Sequence, residues 1–146
     1  MTDPGGTRRF RVRIDPDYRA VDRVVEAVGA LLPPEACRRA SFGFRLALRE
    51  ALVNAVRHGC KRGGGSGVDV EVTVGPQRWE ARVADDGPGF DWRPHLERVP
   101  VPTASEGRGI ALIRLYGDEV EFIGRGNEIR IVCRPEPADL ATEVRE

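Results

Sequence analysis

The stretch Val68-Asp69-Val70-Glu71-Val72-Thr73-Val74 constrains this chain more than any other. Four valines at alternate positions lie on one face of an extended chain, and Asp, Glu and Thr lie on the other. Such a strand needs a packed layer over the valines and water over the carboxylates. The alternation returns after the turn GPQR, where Trp79, Ala81 and Val83 are separated by Glu80 and Arg82, so the two runs predict a hairpin. Phe10, Val12 and Ile14 alternate with Arg11 and Arg13 and predict a strand near the start. Val120 and Phe122, then Ile129, Ile131 and Cys133, predict a last hairpin turning through GRGN.

Helical spacing fills the intervals. Val21, Val24, Val25, Val28, Leu31 and Leu32 recur at the period of a helix opened by Asp15 as cap with Pro16 in the first turn, and closed by Pro33-Pro34. A longer helix is expected from about Glu35 to His58, broken near Ser41 or Gly43, with Gly59 as its stop and KRGGGSG as a flexible loop beyond it. A third helix is expected from near Gly109 to Gly117. The fold class that follows is an α/β two-layer sandwich (α+β). It has a mostly antiparallel mixed sheet of about five strands, polar on one face, with about three helices on the other. The 146 residues fit a single domain, 1–146, with 1–9 as a loose arm and 135–146 as a polar tail.

Lys and Arg total 23, equal to Asp and Glu, and no basic stripe carries interleaved aromatics, which argues against direct nucleic-acid binding. Cys37, Cys60 and Cys133 are widely spaced without a CxxC, a poor pattern for disulfides or structural zinc. The start lacks an apolar signal region and no run reaches membrane-spanning length, so a cytoplasmic location with reduced thiols is expected.

Three segments break local rules in ways that a core does not require. Glu50, Asn54 and His58 share one helical stripe amid apolar neighbours. The plain reading is the solvent face of an amphipathic helix. The other is a stripe lining a ligand cleft, with an Asn amide oxygen as a Mg²⁺ ligand beside phosphates and a Glu one turn away polarising a hydroxyl. Asp85-Asp86-Gly87-Pro88-Gly89-Phe90 ends a strand. It reads either as a simple turn or as a pocket where backbone approaches a ligand closely and Asp85 accepts from an exocyclic amine. Glu106-Gly107-Arg108-Gly109 precedes a helix, and reads either as an ordinary N-cap or as an anion site of free N–H groups.

In this order, ExxxNxxxH on a helix, DxGxG after a strand and GxG before a helix, the segments resemble those of the GHKL (Bergerat-fold) ATPases. That superfamily includes gyrase-type topoisomerases, heat-shock chaperones and histidine kinases. EALVNAVRHG is similar to the asparagine box of bacterial anti-sigma-factor serine/threonine kinases, DDGPGF to their first glycine box and EGRGIALIRLYGDEVEF to their second. The resemblance runs from the first strand through Arg134 and implies a Bergerat-type ATP-binding fold. It implies Glu50 as general base, Asn54 as magnesium ligand and Asp85 as the adenine contact, with Gly87 and Gly89 shaping that pocket. It further implies a lid over about Arg93 to Glu106, and Gly107, Arg108 and Gly109 on the phosphates of ATP.

His58 matches a common position beside the asparagine box and is assigned no step. Where many relatives have, before the last strand, a Gly-Thr whose hydroxyl supports the adenine-binding aspartate, this chain has Gly126-Asn127, and Asn127 is expected to replace that hydrogen bond to Asp85. The implied partners are an antagonist (anti-anti-sigma) protein, phosphorylated on Ser or Thr, and a sigma factor that is sequestered; homodimers are common among such kinases. Two other readings stand beside this one. A binding module would use ATP only to set its shape. The catalytic piece of a histidine kinase is less expected, because the chain starts at Met without a preceding helix bearing a phosphoacceptor histidine.

Overall fold

The computed structural model describes residues 6–34, 36, 38–89 and 108–135. Strand β1 (Arg8–Ile14) leads to helix α1 (Tyr18–Leu31), then to α2 (Arg38–Asn54), which continues without a break as a π-helix (Ala55–Arg62). The hairpin β2 (Val68–Val74) and β3 (Trp79–Asp85) follows, then α3 (Arg108–Tyr116) and a second hairpin of β4 (Glu119–Ile123) and β5 (Glu128–Cys133). The sheet order is β1-β2-β3-β5-β4, and every neighbouring pair is antiparallel. The two-layer α+β architecture expected from the alternation is the one observed.

Register carries the alternation through the sheet. Val70 lies opposite Val12 on one side and Val83 on the other, and Val83 lies opposite Ile129, so the apolar face is continuous. Phe44, Leu48 and Leu52 of α2 cover it, with Phe44 meeting Trp79 edge to face at 5.6 Å between ring centroids. On the other face Arg82 pairs with Glu128 and Arg130 with Glu80, a half-buried ionic lattice of cross-strand pairs.

Several boundaries differ from expectation. Asp17, not Asp15, caps α1: its carboxylate accepts the Arg19 N–H at 2.8 Å, and Pro16 lies outside the helix. The strand takes in Arg8 and Arg9 from the expected arm. Helix α2 runs unbroken through Ser41 and Gly43. A Cβ on Gly43 would sit 2.6 Å from the Tyr116 ring, so the glycine marks close α2–α3 packing rather than a break. Gly59 does not stop the helix. The chain passes through it in the wider i→i+5 winding and ends at Gly63, whose N–H bonds to the Cys60 carbonyl.

The loop after it is tied down. Asp86 accepts from the Ser66 N–H at 2.7 Å, the Ser66 hydroxyl at 2.6 Å and Arg13 at 3.1 Å. Glu35, Cys37, the expected lid and the tail beyond Pro135 lie outside the described residues.

Candidate functional site

A cleft opens between the end of α2 and the sheet. Ala51, Asn54, Ala55, His58 and Gly59 form one wall. Val83, Asp85 and Gly89 form the floor, and Phe122, Asn127 and Ile129 close the far side. Its lining is mostly apolar with a few converging polar groups, the character of a small-molecule site.

The helix supplies the first group of residues. Four-residue spacing sets Asn54 one turn after Glu50, both half-buried. Neither side chain hydrogen-bonds to another described residue. Gly109, in the first turn of α3, faces both: a Cβ there would sit 2.8 Å from Glu50 Oε2 and 3.5 Å from Asn54 Nδ2. Two segments 55 or more residues apart in the chain are thus brought together at the positive end of a helix, where anions are favoured. Arg108 begins that helix, its side chain lying outside the described residues together with Gly107.

The strand supplies the second group. Asp85 is the last residue of β3, and its Oδ1 accepts the Gly87 N–H at 2.8 Å. Burial raises its pKa above the ordinary value, the Gly87 N–H opposes that shift, and the neighbouring Asp86 charge adds to it. The carboxylate packs onto Gly59, where any Cβ would overlap it, and a Cβ on Gly87 would overlap the Gly59 carbonyl oxygen. The π-helix brings Gly59 there, so the glycine expected as a helix stop serves as the floor of an aspartate. Gly89 adopts φ +84, and a Cβ there would overlap the Arg125 carbonyl. Gly87 and Gly89 are both places of close backbone approach.

The sequence reading did not include Val83, Phe122 and Ile129 among the pocket residues. Their strand alternation marks them only as inward-facing, and a core position and a pocket wall look alike at that level. Asp86 was passed over too. Its carboxylate is held well below the usual range, first by the Ser66 hydroxyl and then by the Ser66 N–H. Asn127 does reach Asp85, but the bond it makes runs from Nδ2 to the main-chain carbonyl at 3.0 Å.

A half-buried acceptor in a mostly apolar cleft suits the flat, amine-bearing edge of adenine. A helix N-terminus facing Asn54 and Glu50 suits phosphates and a hydrated Mg²⁺, which takes few protein ligands. The residues present therefore fit ATP. Comparison with protein families agrees: the histidine kinase-like ATPase domain matches residues 11–133. The chain belongs to this GHKL-type family of ATP-binding domains. No individual curated protein matches it. Among the described residues, no helix is long and apolar enough to cross a membrane.

Proposed function

We propose that the chain is a protein serine/threonine kinase of the anti-sigma-factor type. It binds Mg-ATP, phosphorylates an antagonist protein and, in the alternate state of the switch, sequesters a sigma factor. The observation that carries the kinase reading is the approach of Glu50 to the N-terminus of α3, with Gly109 leaving the gap between them open. A carboxylate beside the phosphate-binding end of a helix is where a base must stand to take a proton from an attacking hydroxyl.

In this reading Asp85 accepts the adenine amine and the cavity walls exclude water from the ring. Asn54 would hold magnesium, which would supply charge stabilisation on the phosphates, and Gly107, Arg108 and Gly109 would meet those phosphates. ATP would supply the γ-phosphoryl group, the hydroxyl oxygen bonding to phosphorus as the bond to the ADP oxygen breaks and ADP leaves. Glu50 accepts the proton of a Ser or Thr hydroxyl on the antagonist. The added phosphate places charge at the antagonist's docking surface and releases it. The sigma-factor and antagonist assignments rest on the likeness of EALVNAVRHG, DDGPGF and EGRGIALIRLYGDEVEF to the boxes of those kinases.

Mixing the protein with Mg²⁺, γ-labelled ATP and candidate antagonists tests the proposal. Label should move to the partner as acid-stable phosphate. Glu50→Gln should slow transfer by about 10²- to 10⁴-fold while ATP still binds. ATP binding without transfer to any partner would favour the non-catalytic module, and acid-labile phosphate would favour histidine-kinase chemistry.

A further inference from the structure

Asn127 sits just before β5, after a turn in which Gly126 takes φ +87. The β3–β5 ladder runs from Trp79↔Cys133 to Ala84↔Glu128, so Asp85 and Asn127 are the next pair out. One bond of that pair is main chain to main chain, Asp85 N–H to Asn127 O at 2.8 Å. The reciprocal bond comes from the Asn127 side chain, whose Nδ2 donates to the Asp85 carbonyl at 3.0 Å. A side-chain amide thus extends the sheet by one pair at the point where the turn ends main-chain pairing.

The same turn lies close against the far end of the glycine segment, where a Cβ on Gly89 would overlap the Arg125 carbonyl. Between these two supports, Asp85 Oδ1 is engaged by the Gly87 N–H. Nothing from Asn127 need reach the carboxylate for it to be held.

We infer that Asn127 is a positioning residue of the base pocket: by clamping the main chain of Asp85 from both its N–H and its carbonyl, it fixes the direction in which the carboxylate meets an exocyclic amine. The inference rests on the nucleotide reading of the site. It gives the departure from the Gly-Thr pattern a physical role, since the amide grips the backbone and leaves recognition of the amine to the carboxylate itself.

Two measurements on the full chain decide it, one of them without nucleotide. In Asn127→Ala, hydrogen exchange at the Asp85 and Gly87 amides should accelerate at least severalfold, with Val70 and Ala81 in the neighbouring ladder unchanged. By titration calorimetry, adenosine, ADP and ATP should all lose about tenfold in affinity, with unchanged Mg²⁺ dependence, as expected for the loss of one hydrogen bond behind the base contact. A general loss of structure would accelerate the ladder amides as well. Asn127→Asp keeps the side chain's shape and removes the donor, so it gives the same exchange readout if the alanine variant folds poorly.

Unchanged exchange at Asp85 and Gly87, or unchanged adenosine affinity in a variant of a binding-competent wild type, overturns the inference alone. Failure of the wild type to bind adenosine or ATP overturns the nucleotide reading and the inference with it.

Discussion

Asp85 and Asp86 are neighbours in sequence and opposites in environment. Asp85 lies half-buried against Gly59, with the Gly87 N–H on one oxygen, and its pKa is raised by burial. Asp86 is exposed and collects donors from Ser66, Gly67 and Arg13, and its pKa is lowered. One carboxylate has bonding capacity left for a ligand, and the other has used its capacity on the scaffold. Strand geometry makes the division possible: consecutive side chains at the end of β3 point to opposite faces, one into the helix layer and one toward β1 and the loop.

The largest separation between them should appear in nucleotide binding. Asp85→Asn removes a charged acceptor and should weaken ATP by roughly 100-fold, whereas Asp86→Ala should change it by only about threefold; calorimetry on both variants makes the comparison. Equal losses would mean that the two carboxylates act as one unit. Next in size is Gly87→Ala, which drives a Cβ into the Gly59 carbonyl oxygen. Because the obstacle is main chain, the variant should lose about 1–3 kcal/mol in urea unfolding and bind ATP weakly.

Opposite pKa shifts predict opposite pH responses. A carboxyl whose pKa is raised on folding binds protons more readily in the native state. Asp85 therefore subtracts stability as pH climbs from the ordinary value of about 4 to its raised value. Its ATP affinity should begin to fall, on acidification, at a pH above that ordinary value, and Asp85→Asn should flatten that limb. Asp86 behaves in reverse. Its stabilisation is present above about pH 4 and disappears as pH falls toward its lowered value, so Asp86→Asn should blunt acid unfolding. The smallest effect belongs to Arg13→Ala, an exposed partner of Asp86 whose loss should alter ATP affinity by no more than about twofold.

The fold was legible because its signals were redundant. Each strand had its alternation, and Val68 through Val74 alone required a two-layer arrangement. Glu50, Asn54, Asp85, Gly87, Gly89 and Gly109 stood out in the sequence as candidates, since polar groups and glycines among apolar neighbours need a reason. The sequence was silent where one residue type serves two purposes. Gly59 reads as a helix stop by its backbone freedom, yet its missing side chain serves the carboxylate of Asp85 and the helix runs on. The Asp15-Pro16 pair reads as a helix start, yet the carboxylate that takes the free N–H of the first turn is that of Asp17. Asn127 suggested a bond to Asp85, but residue type does not say whether it goes to the carboxylate or, as it does, to the main chain.

Pairing of β1 with β2 has a consequence for how the molecule is made. Arg8 lies opposite Val74 and Ile14 opposite Val68, so the first strand waits for partners more than fifty residues downstream. Closing so long a loop is slow compared with zipping the β2–β3 or β4–β5 hairpin. β1 is made before its partner and is therefore among the last of the described strands to find its place, and Arg13 brings the final ligand to Asp86 only when it does. Completion of the bracket behind the pocket is thus a late event in folding, and a chain whose hairpins have formed but whose first strand has not docked would carry a pocket with a loosened back wall.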